Sequence, residues 1–147
     1  MNFANEAHKA GYEKIAAYMK DLFGEFARPL PDKPMFGLAM GSALAQVAVL
    51  PWRDDETVVS VRSYVVTGAE LKPDLLKFLL EKNNEMRFGG FGVDSDGDIF
   101  FTHSVVGSTC DKVELRTSVM AVVSTADELD DEIISRWGGR RALDMAR

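Results

Sequence analysis

Hydrophobic positions along the chain recur at helical spacing in three stretches and alternate at strand spacing in five others. From about Asn5 to Ala27, Ile15, Tyr18, Met19, Leu22 and Phe26 fall on one stripe, while Glu13, Lys14, Lys20, Asp21 and Glu25 lie off it. That spacing predicts an amphipathic helix. Arg28-Pro29-Leu30-Pro31-Asp32-Lys33-Pro34 ends it, because three prolines cannot continue a helix. Strand-like runs follow near Met35 to Met40, Leu44 to Leu50 and Thr57 to Val66, joined by Gly41-Ser42 and by Pro51-Trp52-Arg53-Asp54-Asp55. Connections this short predict an antiparallel meander.

In LKPDLLKFLLEKNNEMRF, Pro73 suits a first helical position and Asp74 sits where the helix dipole favours negative charge. Leu71, Leu75, Leu76, Phe78, Leu79 and Leu80 cover a broad arc, which predicts a helix buried on more than one side. Two strand-like runs, Phe88 to Val93 and Ile99 to Val106, flank Asp94-Ser95-Asp96-Gly97-Asp98. A last long helix begins at Asp111, with Glu114 placed for a capping box. Leu115, Val119, Val122, Ala126, Leu129, Ile133 and Trp137 repeat along it, and Gly138-Gly139 stops it. The expected order is α-β-β-β-α-β-β-α: one α+β domain over residues 1–147, with an antiparallel five-stranded sheet and helices packed on one face.

The strands also predict which way side chains point. Val59, Val61 and Val65 share one face of the third strand, and Val58, Ser60, Arg62, Tyr64 and Val66 the other. In the fifth, Ile99, Phe101 and Val105 oppose Phe100, Thr102, Ser104 and Val106. The second set is mixed, not polar. Val58, Tyr64, Phe100 and Val106 together make more apolar surface than a free monomer usually shows in one patch, so a covering partner is expected.

Composition narrows the partners. The 147 residues suit one core, and a formal net charge of -6 argues against sequence-independent nucleic-acid binding and against docking to an anionic membrane. No run of apolar residues is long enough to span a bilayer, and MNFANEAHKAGYEK lacks the apolar segment of a signal peptide. Cys110 is the only cysteine, which excludes an intrachain disulfide and a cysteine metal cluster and points to a reducing, cytoplasmic setting.

Candidate chemistry is sparse. Asp94, Asp96 and Asp98 match positions 1, 3 and 5 of a calcium loop, but Gly97 falls at position 4 and Val105 at position 12. The flanks are strands, so Asp96-Gly97 reads as a hairpin turn needing positive φ. His8 and His103 lie on different elements, and His103 continues the Ile99 and Phe101 alternation as a packed histidine. Ser104 beside it points to the opposite face. Phe88-Gly89-Gly90-Phe91-Gly92 follows a helix and enters a hairpin, the reverse of a phosphate loop, and its glycines fit close approach by another element. Asp127, Glu128, Asp130, Asp131 and Glu132 read as a solvated helix face. Cys110, just before a helix start, reads as structural or incidental.

Three passages carry a resemblance: VRSYVVTGAEL, LLKFLLEKNNEMRFGGFGVDSDGDIFFTHSVVGST and TADELDDEIISRWGGRRALD. From about Val58 to Asp144 the chain resembles the YbjN-like domain, nearest to its short, single-domain cyanobacterial members. Leu80, Asn83, Asn84, Arg87, Phe88, Gly89 and Phe91 are the most specific part, and Thr125 to Trp137 with Gly138-Gly139-Arg140-Arg141 the second. The resemblance implies the fold of type III secretion chaperones, which has the element order above. It also implies a homodimer that binds an extended client segment on its sheet and in helix-flanked grooves, and it brings no catalytic residues.

The expectation is therefore a non-enzymatic, chaperone-like or adaptor domain, with no cofactor and no metal. Its partners are a client protein segment and a second copy of itself. Arg62, Tyr64, Phe100 and Thr102 are the expected binding patch, and Leu76 and Leu80 the expected dimer contacts. A free sheet edge offers a second way to hold an extended segment. The competing reading is an acidic cation-binding or sensing domain built on Asp94, Asp96 and Asp98 or on the acidic helix.

Overall fold

The computed structural model of the chain describes residues 1–142. Leu143 and Asp144, the last residues of the resemblance, lie outside them. Asn5 opens the first helix, α1 (Glu6–Phe23), its side chain accepting from the His8 backbone N–H. Ile15, Met19 and Phe23 are its buried stripe. The helix stops four residues earlier than its stripe predicts. Gly24, at φ 53, ends it before the prolines are reached. A single 3-10 turn follows (Gly24–Phe26), and Phe26 is 60% exposed, not part of the buried stripe.

Among the described residues the sheet is antiparallel and has seven strands, not five: β1 (Ala27–Pro29), β2 (Met35–Met40), β3 (Ala43–Trp52), β4 (Glu56–Thr67), β5 (Gly90–Val93), β6 (Ile99–Val106) and β7 (Arg140–Arg141). The strand order is β1-β2-β3-β4-β6-β5, with β7 paired to β4 through Val66 and Thr67. The two additional strands have three and two residues, too few for an alternation to show.

Helices α2 (Pro73–Glu85) and α3 (Lys112–Trp137) complete the fold. Asp111 caps α3 as its position suggests, accepting from the Glu114 N–H at 2.7 Å. One core holds Ile15 and Met19 of α1, Leu75 and Leu79 of α2, Leu115, Val119, Val122 and Ile133 of α3, and the inward residues of the sheet. Among the latter, Val47, Val49, Val59, Val61, Ile99 and Phe101 have no exposed surface. The predicted faces hold, with one exception. A bulge between Tyr64 and Val66 turns Val66 inward, where it is fully buried.

α2 differs from its expectation. Leu75 and Leu79 are buried and Phe78 packs on Trp137, but Leu71, Leu76 and Leu80 are exposed. The broad apolar arc is buried on one side by the chain's own core and left open on the other. The acidic run of α3 differs too. Asp130 is buried and hydrogen-bonds Ser42 Oγ, while Asp127 accepts from both the backbone N–H and the hydroxyl of Ser42. Two of the five acids pin the β2–β3 turn. Burial raises the Asp130 pKa, and the Ser42 donors lower that of Asp127.

Candidate functional site

The side of the sheet away from the core carries the predicted patch. Register places Tyr64 opposite Phe100 and Arg62 opposite Thr102, so all four project from neighbouring positions of β4 and β6. All are half-buried. The Arg62 guanidinium lies 4.0 Å from the centre of the Phe100 ring, and the Tyr64 ring meets Phe100 edge-on at 6.0 Å. Thr102 Oγ1 donates to the Val61 carbonyl, 3.0 Å away.

Phe100 has a seat in the neighbouring strand. It pairs with Gly92 of β5, where a Cβ would stand 2.5 Å from the ring. The close approach expected from the glycine-rich stretch is thus made by an aromatic ring of the next strand. The turn behind it is built by Asp94. Its Oδ1 accepts the backbone N–H groups of Asp96 and Asp98, and its N–H donates to the Asp98 carbonyl. Gly97 takes φ 83, as the hairpin reading requires. Oδ2 of Asp94 accepts from the Tyr64 hydroxyl at 3.0 Å, which no sequence pattern announces. The Asp98 N–H is the main cause of a lowered Asp94 pKa, and the hydrogen bond to Asp94 is the main cause of a raised Tyr64 pKa. One carboxylate oxygen each from Asp94, Asp96 and Asp98 lies within 4.8 Å of the others, but Asp94 is already engaged by the turn.

Positions on β1 and β5 are closed to an added strand. Phe91 of β5 has both backbone groups taken by Asn83 of α2, whose Oδ1 accepts from the N–H at 2.6 Å and whose Nδ2 donates to the carbonyl at 3.2 Å. On β1, the Leu30 N–H donates to the Met35 carbonyl, so ladder alternation turns Ala27 and Pro29 outward. The Ala27 N–H is bonded to the Gly24 carbonyl, and Pro29 has none. At these positions the expected alternative of edge pairing meets donors that are taken or missing.

Leu76 and Leu80, 41% and 69% exposed, lie on α2 and form a surface separate from the sheet patch. The other candidates have structural partners. His8 Nε2 bonds the Val49 carbonyl, and His103 Nδ1 bonds Ser118 Oγ with its pKa lowered by burial. Burial pushes the Cys110 thiol up to about 11, which removes the thiolate its place before α3 would favour. No helix among the described residues is long and apolar enough to cross a membrane.

Residues 13–145 match the sequence profile of TY-Chap1, described as T3SS (YopN, CesT) and YbjN peptide-binding chaperone 1. Comparison with curated proteins gives no match. Among solved structures, a chain of the ExsC-ExsE complex superposes with TM-score 0.65 at 13% identity, over 88% of this chain and 96% of that one. A chain of the HopA1-SchA chaperone-effector complex superposes with TM-score 0.68 at 8% identity, over 87% and 98%. At such identity these likenesses speak for the fold. The cation-binding reading gains nothing from any of the comparisons.

Proposed function

Because the chain belongs to the TY-Chap1 family of T3SS and YbjN peptide-binding chaperones, we propose that it holds an extended client segment on the open face of its sheet, at Arg62, Tyr64, Phe100 and Thr102. Peptide binding by a chaperone is the family's function. The geometry of the open face supports placing the peptide there.

One observation carries it: an aromatic pair with a stacked guanidinium on the sheet face opposite the core that α1, α2 and α3 cover. Aromatic rings and arginine are the side chains that anchor interfaces, because they bring large contact area at small entropic cost. The closed positions on β1 and β5 favour docking over the face, with side chains supplying the affinity.

Dimerisation belongs to the same reading. Leu76 and Leu80 form an apolar pair on α2 that one chain leaves open, and a two-fold partner would cover it by using the same pair twice. A non-enzymatic, cytoplasmic role completes the proposal, supported by the family description and by the structural partners of both histidines and the burial of Cys110.

The test uses a peptide selected by display against the wild-type protein and measured by isothermal titration. Tyr64→Ala is expected to weaken binding while the unfolding midpoint moves little. Unchanged affinity in Tyr64→Ala would remove the sheet face as the site.

A further inference from the structure

The open face has a second apolar row, separate from the four residues above. Leu50 of β3 pairs with Val58 of β4, and Val58 with Val106 of β6. Partners across a ladder point to the same side, so these three side chains stand in line on the open face. Trp52, two positions along β3 from Leu50, points the same way. Leu50, Trp52 and Val106 are 45%, 53% and 49% exposed. This row and the Tyr64–Phe100 row lie at opposite ends of the same strands. Val58 and Tyr64 are six positions apart on β4, as are Phe100 and Val106 on β6, and the register between them does not shift. At the rise of a strand that is about 20 Å. The two rows in between are small or polar: Ala48–Ser60–Ser104 and Gln46–Arg62–Thr102. The face is apolar at both ends and polar in the middle.

We propose that the open face takes an extended client segment with two large apolar side chains six residues apart and polar residues between them. One anchor sits on Leu50, Trp52, Val58 and Val106, the other on Tyr64 and Phe100. An extended segment rises as the strands beneath it do, so six residues carry it from one row to the other. Successive side chains alternate in direction, so an even separation turns both anchors to the sheet and an odd one turns one of them to solvent. Between the anchors, polar side chains meet Ser60, Ser104, Arg62 and Thr102. A second copy fits this row less well. Its exposed side chains offer on the order of 200–300 Å², where a stable interface takes about 800 Å² from each partner. Leu76 and Leu80 offer a second copy its place on α2, a helix packed on the other side of the sheet. The proposal rests on the reading of the open face as the client's seat and adds to it a second anchoring row and a spacing.

The test is a series of synthetic peptides of Ser, Thr and Gln carrying two Phe residues at separations from four to nine, with a one-Phe peptide beside them. Binding is read from the amide shifts of the isotope-labelled protein. The peptide with separation six is expected to bind about tenfold more tightly than those with five or seven, which keep one anchor each. Leu50→Thr/Val106→Thr removes the second row with residues suited to a strand, and circular dichroism checks the fold. There the separation-six peptide is expected to fall to the affinity of the one-Phe peptide, with shifts left only around Tyr64 and Phe100. Affinity that ignores parity, or a preference for six that survives the double substitution, overturns the proposal. If the one-Phe peptide shifts Tyr64 and Phe100 and a second Phe adds nothing at any separation, only the second row fails. If no peptide shifts the open face, the reading beneath it fails as well. Loss of dimers in Leu50→Thr/Val106→Thr, seen by light scattering, would give the row to a second copy instead.

Discussion

Phe100 and Phe101 are neighbours on β6 with opposite fates, and substituting each by alanine separates binding from stability. Phe101 has no exposed surface and meets the Phe91 ring at 4.9 Å. Removing such a ring leaves a cavity and costs about 3–5 kcal/mol. Phe100 is half-buried, with Arg62 above it, Tyr64 at its edge and Gly92 beneath. Its partial burial contributes about 1 kcal/mol, and the cation and edge contacts about 0.5–1 kcal/mol together in this solvated setting. Phe100→Ala is therefore expected to cost about 1–2 kcal/mol, small against the 5–15 kcal/mol typical of a domain. Urea denaturation followed by circular dichroism measures both variants. Titration with a display-selected peptide then measures binding by Phe100→Ala, where loss of an anchoring ring is expected to raise Kd roughly thirtyfold, about 2 kcal/mol. If Phe100→Ala destabilises as much as Phe101→Ala, or leaves affinity unchanged, the faces have been assigned the wrong roles.

Asn83→Ala strips both hydrogen bonds from Phe91 and is expected to cost about 1–3 kcal/mol, with faster exchange of the Phe91 amide; a protected amide in the variant would contradict the edge cap. Leu76→Asp/Leu80→Asp is expected to give a mass near 16.2 kDa by light scattering and the wild type twice that; a monomeric wild type would rule out the α2 pairing. Asp130 holds its proton more tightly in the fold than in the unfolded chain. Its contribution is thus fully favourable below the ordinary carboxylate pKa and is lost as pH rises through the raised value. Asp130→Asn is expected to raise the denaturation midpoint at neutral pH, with a gain that shrinks to nothing on acidification. A gain independent of pH, or a loss at neutral pH, would contradict the burial account.

The alternation of β4 and β6 made the core face and the open face legible, because a period of two survives wherever one side is buried. It failed only at Val66, where a bulge inserts half a period. The short β1 and β7 carry no period at all, and α1 ended where one glycine took positive φ, not where the prolines stood. Apolar arcs report what a helix can bury, not what its own chain supplies, which is why Leu76 and Leu80 turned out exposed. The acidic run of α3 hid two turn anchors, since Ser42 lies 85 residues from Asp127. Asn83 meets the backbone of Phe91 and Asp94 the hydroxyl of Tyr64 only through folding, so their side-chain identities alone could not announce the edge cap or the bond to Tyr64.

Amide and methyl NMR of the isotope-labelled protein, titrated with an unlabelled display-selected peptide, tests the central claim most directly. Perturbations are expected to concentrate on Arg62, Tyr64, Phe100 and Thr102, with intermolecular contacts to the two aromatic rings. Perturbations confined to the helices, or centred on Leu76 and Leu80 with the sheet face unmoved, would contradict it.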